Sequence, residues 1–179
     1  AKARTVAAEV ADTEKTLRGI LERFRFERVE LAADAEAGLA RVAVTVNGVT
    51  TVENDVTGHG LNQFTYAGTW GHATSNLEAA GTNSHSSMPG DTATLRFVGT
   101  RIRFYGVVAP NHGTASLAVD GATPATIDQY SPERVQGGLA WESPVLARGE
   151  HTFVLTVLGE ANPASRYIWV NVDRVEIDA

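Results

Sequence analysis

From about residue 25 onward, apolar and polar residues alternate with a period of two, which predicts a chain of short β-strands. Leu95 and Phe97 alternate with Thr94 and Arg96, and Ile102 and Phe104 with Arg101, Arg103 and Tyr105. Phe153, Leu155 and Val157 alternate with Thr152, Val154 and Thr156. Ala115, Leu117 and Val119 lead into Asp120-Gly121, a turn dipeptide. Earlier in the chain, Val42, Val44 and Val46 alternate with Arg41, Ala43 and Thr45. Asn47-Gly48 follows, and Val49-Thr50-Thr51-Val52 resumes the pattern, which predicts a hairpin. Arg25-Phe26 and Val29-Glu30-Leu31 suggest one more strand. Near the C-terminus the parity slips. Val170 and Val172 share one phase, Val175 and Ile177 the other, and a bulge near Asp173 would reconcile them. Short strands at regular spacing with no helices between them predict an all-β jelly-roll β-sandwich rather than a parallel sheet.

The first 24 residues follow a different period. Val6, Val10, Leu17, Ile20, Leu21 and Phe24 recur at spacings of three and four, with Glu9, Asp12, Lys15 and Arg18 elsewhere. This is the stripe of an N-terminal amphipathic helix, which must pack on the following domain or on another. The expected organisation is residues 1–50 as a helix and β-hairpin, a linker or the remnant of a preceding domain, and residues 51–179 as the sandwich. The chain starts at Ala1 without a signal peptide and reads as an excised fragment of a longer protein.

Composition narrows the function classes. With 43% hydrophobic residues a real core can form, and 17 glycines supply the turns. The net charge of −6 and the lack of any Lys/Arg run argue against nucleic acid, because phosphate neutralisation dominates that affinity. No apolar run approaches the roughly 20 residues of a membrane span. Cysteine is absent, which removes disulfides and thiolate chemistry.

Catalytic signatures are missing. There is no G-x-S-x-G, no H-E-x-x-H and no phosphate-binding glycine loop. The five histidines, His59, His72, His85, His112 and His151, have no pair at zinc-motif spacing. Glu133, Glu142 and Glu150 lie near turn residues and read as surface charges, although a glycosidase carboxylate pair is set in space rather than in sequence.

Several pieces form an ordered set over about two thirds of the chain. They are Val-Glu-Asn-Asp-Val-Thr-Gly (52–58), Asn-Gln-Phe-Thr-Tyr-Ala-Gly-Thr-Trp-Gly (62–71) and Asn-Ser-His-Ser-Ser (83–87). Gly-Asp-Thr-Ala-Thr-Leu-Arg-Phe-Val-Gly-Thr-Arg-Ile-Arg-Phe-Tyr-Gly (90–106) and Asn-His-Gly-Thr-Ala-Ser-Leu-Ala-Val-Asp-Gly (111–121) follow. Leu-Ala-Arg-Gly-Glu-His-Thr-Phe (146–153) and Val-Asp-Arg-Val-Glu-Ile (172–177) complete the set. This order resembles the galactose-binding-like β-sandwich carbohydrate-binding modules appended to secreted bacterial glycoside hydrolases. The resemblance implies a secreted, non-catalytic module that targets a parent catalytic domain to an oligosaccharide or polysaccharide. A structural spacer or protein-interaction domain is the alternative, and a small jelly-roll hydrolase or lyase a third reading.

Sugar recognition calls for an aromatic face against the pyranose C–H groups and planar polar groups for the hydroxyls. Loops at one end of a sandwich supply both. The candidates are Trp70, His85, Asn111, His112, Tyr130 and Trp141; Trp70 and Trp141 read equally as core residues. Asn162 and Arg166 join them, because in similar modules the last polar loop reaches the binding site. Trp169, opposite in parity to Ile168 and Val170, reads as exposed or as a cover for the helix. The resembling modules also carry a structural calcium between the first and last strands. Its ligands here would be Glu53, Asp55 and Asp173, since calcium takes several oxygen ligands. Asp173 reads alternatively as a backbone partner at the bulge.

Overall fold

The computed structural model of the protein describes residues 28–29, 43–46, 48–74 and 81–179. The helix expected over residues 1–24 lies outside them. Among the described residues the strands are β1 (Arg28–Val29), β2 (Val44–Val46), β3 (Val49–Glu53), β4 (Phe64–Ala67), β5 (Gly71–Thr74), β6 (Thr82–Ser86) and β7 (Thr92–Gly99). They continue as β8 (Arg101–Val108), β9 (Thr114–Val119), β10 (Ala125–Asp128), β11 (Val135–Glu142), β12 (Gly149–Val157), β13 (Val170–Val172) and β14 (Arg174–Asp178). The described residues are all-β, as expected of the sandwich.

Two antiparallel sheets face each other. One has the order β1-β2-β3-β14-β8-β11 and the other β10-β9-β12-β7-β4. The alternation seen in sequence is what lets each sheet bury one face. Ile102 and Phe104 of β8 and Val175 and Ile177 of β14 are fully or almost fully buried, as are Leu95 and Phe97 of β7 and Phe153 and Leu155 of β12. Phe104 and Phe153 stack across the layers at 6.0 Å between ring centroids. β2 and β3 pair as the expected hairpin requires, Val46 opposite Val49, with Gly48 between them at φ 77°. The expected division between residues 50 and 51 falls inside β3.

The parity slip near Asp173 has another cause than a bulge. The chain changes sheets there. β13 pairs with β6 in a third, three-stranded sheet of order β13-β6-β5, whereas β14 pairs with β3 and β8 in the six-stranded sheet. A strand that hands over between sheets turns its side chains to a new core, so the apolar phase must shift. A second expectation also changes. Asn83-Ser84-His85-Ser86 looks like a polar loop, yet it is strand β6. Ser84 and Ser86 point into buried polar contacts, with Ser84 Oγ beside His72 Nδ1 at 2.8 Å and Ser86 Oγ donating to Asp91 at 2.6 Å. Strand residues that bury hydroxyls leave no apolar period to read. Strand β11 runs through Gly137-Gly138 to Trp141 with register shifts on either side. Gly137, at φ 56°, takes the left-handed conformation.

Candidate functional site

The three-stranded sheet builds the site. Gly71 of β5 and Asn171 of β13 both lie opposite His85 of β6, and Ala73 lies opposite Asn83. Residues directly opposite in a ladder share a face. This face therefore carries Gly71, Ala73, Asn83, His85 and Asn171, two small residues among three planar polar ones. Trp169 precedes Asn171 by two positions and takes the same side of the chain. Its backbone is fixed by hydrogen bonds from Gly113 N to Trp169 O (2.8 Å) and from Trp169 N to Asn111 O (3.2 Å).

A pocket of about 180 Å³ opens here, lined by Asn83, His85, His112, Arg134, Trp169 and Asn171. The Trp169 ring meets His85 edge-on at 5.1 Å and Tyr167 at 5.3 Å. Tyr167 is itself 50% exposed, so the aromatic group reaches the surface. Gly71 is required beneath it. A Cβ on Gly71 would lie 2.6 Å from His85 Nε2, so the absent side chain is where the imidazole sits.

Hydrogen bonds fix the polar groups. His85 Nδ1 bonds Asn83 Oδ1 at 2.9 Å, and His112 Nδ1 donates to the Val107 carbonyl at 2.8 Å. Both acceptors are carbonyl oxygens, so each Nδ1 carries the proton and each Nε2 is an acceptor in the neutral ring. Burial, and then the neighbouring His72, hold the His85 pKa below its ordinary value, which keeps that ring neutral. Asn171 Oδ1 accepts from Val107 N at 3.2 Å. Its backbone exchanges two 2.8 Å bonds with the Gln129 side chain, which is fully buried. Gly106 makes room for that exchange, because a Cβ there would lie 2.5 Å from Gln129 Nε2.

The sequence candidates fall into three groups. His85 and His112 line the pocket. Asn111, Tyr130, Asn162 and Arg166 lie on loops around it without lining it. Arg166 N donates to Pro110 O at 2.8 Å, which ties the last polar loop to the one carrying Asn111 and His112. Asn162 Nδ2 and Tyr130 N both bond the Asp128 carboxylate, at 3.2 Å and 2.8 Å. Trp70 and Trp141 pack against the core instead. Trp70 lies 4.9 Å from Tyr66 and donates to Ala67 O at 3.2 Å. Its turn is held by Asp91, which accepts from Thr69 N at 2.8 Å. Trp141 lies 6.0 Å from Phe153 of the facing sheet. Sequence reasoning did not select Asn83, Arg134, Trp169 or Asn171. The odd parity of Trp169 was the one available signal.

Of the expected calcium ligands, Glu53 ends β3, Asp55 lies in the turn after it and Asp173 lies between β13 and β14. Glu53 of β3 is opposite Arg174 of β14, and Asn54 N donates to Asp173 O at 2.8 Å. Asp173 is fully buried, and Arg174 Nη1 lies 3.0 Å from its carboxylate. An arginine thus compensates that charge. Among the described residues no three His, Cys, Asp or Glu side chains are gathered about one point as a metal site.

The hydroxyl–imidazole contact between Ser84 and His72 has the distance of a nucleophile–base pair, but Ser84 is fully buried and out of a substrate's reach. Glu142 is engaged by Arg101 and Arg103, and Glu150 by Arg96. No helix among the described residues is long and apolar enough to cross a membrane.

No protein-family model matches the chain. It is 33% identical over 87 residues, 49% of its length, to an A type blood N-acetyl-alpha-D-galactosamine deacetylase of Flavonifractor plautii. It is 33% identical over 94 residues, 52% of its length, to an A type blood alpha-D-galactosamine galactosaminidase of the same organism. The matched stretches span only 11% and 9% of those proteins. A Paenibacillus xanthan lyase superposes with a TM-score of 0.52 at 15% identity, over 72% of this chain and 13% of the lyase. The described residues thus share an all-β sandwich fold with part of that lyase, and the expected β-sandwich fold is borne out.

Proposed function

We propose that this chain is a non-catalytic saccharide-binding module that holds a parent carbohydrate-active enzyme near its glycan by raising the effective concentration. The pocket on the β5-β6-β13 face carries the reading. It combines an aromatic side chain, imidazole acceptors and carboxamides on a floor of small residues, the chemistry a pyranose requires. A second observation supports the accessory role. The same kind of stretch occurs as a small fraction of two relatives whose names give different reactions, a deacetylase and a galactosaminidase. A segment common to two chemistries is not the part that performs either.

Binding should quench tryptophan fluorescence as a glycan panel is titrated into the purified chain, with no reducing sugar released. A folded chain that binds nothing on the panel would sink the proposal. A calcium ion at the β3–β14 seam, held by Glu53, Asp55 and Asp173 with backbone carbonyls, is a subsidiary proposal supported by the strand pairing alone. It predicts a melting temperature that rises with added calcium and falls with chelator. Equal melting temperatures in both would refute it.

A further inference from the structure

The aromatic surface of the pocket continues past its mouth. Tyr167 lies outside the lining, yet its ring centre is 5.3 Å from that of Trp169, which lines the pocket. Half of Tyr167 stays in solvent. A scattered exposed aromatic needs no explanation, but one joined to a pocket wall extends that wall.

The segment that carries Tyr167 is stitched down along its length. Thr114 N donates to Glu160 O at 2.8 Å, Arg166 N to Pro110 O at 2.8 Å, and Trp169 N to Asn111 O at 3.2 Å. Ser165 Oγ lies 2.8 Å from His112 O and 2.7 Å from Tyr167 O. The two loops approach so closely that a Cβ on Gly113 would stand 2.9 Å from Ile168 Cα. The backbone of Tyr167 is thus ordered on folding, and a ligand that meets its ring does not have to order it.

Size and angle decide what this ring can serve. The pocket, at about 180 Å³, is smaller than the roughly 300–1,000 Å³ of ordinary small-molecule sites and holds a single pyranose. The planes of Trp169 and Tyr167 differ by 40°, so one flat sugar face cannot lie on both. The exposed surface of Tyr167 suits a different ring, the neighbour joined by a glycosidic bond to the one in the pocket.

Building on the saccharide-binding reading above, we propose that Tyr167 forms a second subsite, so that the site takes two linked sugar residues, one in the pocket and the next against Tyr167. The ligand is then an oligosaccharide rather than a free monosaccharide.

The test is calorimetric titration of the full chain with glucose, galactose and mannose, each beside a disaccharide and a trisaccharide of the same sugar. In any series that binds, the disaccharide should bind about fivefold tighter than the monosaccharide, the worth of one aromatic contact, and the trisaccharide no tighter than the disaccharide. Tyr167→Ala should bring the disaccharide-to-monosaccharide affinity ratio to about one, whatever it does to the monosaccharide, and Tyr167→Phe should keep the ratio. A ratio unchanged in Tyr167→Ala, a wild type that binds each monosaccharide as tightly as its disaccharide, or a further gain at the trisaccharide would overturn the subsite and leave saccharide binding standing. A Tyr167→Ala chain that binds no sugar would also overturn it, because the ring would then only hold Trp169 in place. Failure of every sugar with the wild type would remove both readings.

Discussion

Two polar faces of this molecule use charge in opposite ways. On the six-stranded sheet, Arg101, Arg103, Glu142, Glu176 and Asp178 pair with one another across β8, β11 and β14. Tyr105 Oη donates to Glu176 at 2.8 Å, and the Arg174 guanidinium lies 4.1 Å from the centre of the Tyr105 ring. Each cation faces an acid one strand away, so the surface satisfies itself. Around the three-stranded sheet, polar groups fixed by the protein line a pocket. The amides Asn83 and Asn171 are anchored through their oxygens, the imidazoles His85 and His112 through Nδ1. Polarity alone does not mark a binding face. What marks it is polar groups held rigid around a pocket, beside small residues that leave space.

The largest expected effect lies beneath the pocket. Gln129→Ala removes both partners of the buried Asn171 backbone, and about 3 kcal/mol of stability should be lost in urea unfolding. A loss under 1 kcal/mol would mean that water replaces the glutamine. Trp169→Ala is next. It should weaken saccharide binding about tenfold with little change in melting temperature, because Trp169 touches other rings at the surface rather than the sandwich core. Trp141→Ala should do the reverse, destabilising the fold and sparing the affinity. Unfolding and binding curves of the two variants decide the matter together.

A smaller effect is a dependence on pH. His151 Nδ1 bonds Asp120 at 2.6 Å and Nε2 bonds the Ala147 carbonyl at 2.7 Å, so both ring nitrogens face acceptors and the imidazolium is favoured. The Asp120 bond raises the His151 pKa above its usual value. The Thr152 amide, and then His151, lower the Asp120 pKa. A raised histidine pKa stabilises the fold below the unfolded value and loses that contribution as pH rises through the folded value. A lowered aspartate pKa stabilises above its unfolded value and loses it as pH falls through the folded one. The pair thus contributes most from about pH 4 to 6.5, between the two unfolded pKa values. The melting temperature of wild type minus His151→Gln should be greatest near pH 5.5 and should shrink by pH 8.5. A difference independent of pH would show that the ring acts by packing on Phe97 alone. The smallest effect belongs to the saturated face, where Arg103→Met should cost about 1 kcal/mol or less and leave sugar affinity unchanged.

Much of the frame was legible in the residues. The strands around Leu95, Ile102, Leu117 and Phe153 were visible because each buries one face against a single core, and burial of one face writes a period of two into the sequence. The turns at Gly48 and Asp120-Gly121 were visible because positive φ favours such residues, and Gly48 takes it at 77° and Asp120 at 53°. The site was legible only in part. His85 and His112 stood out as polar residues in polar stretches, but β6 was hidden because its inward residues are serines. Trp70 and Trp141 read as platforms or as core, and only the structure shows them packed on Tyr66 and Phe153.

Local pattern by itself determined the fold class and most strands, because each depends on neighbours within a few residues. Tertiary structure alone decided that the chain changes sheets at Asp173, that Gly71 and Asn171 flank His85, and that Trp169 and Arg134 join them. Those facts rest on hydrogen-bonded pairing between segments far apart in sequence, Val49 opposite Asp178 being the most distant pair. No local period records which strand becomes whose neighbour.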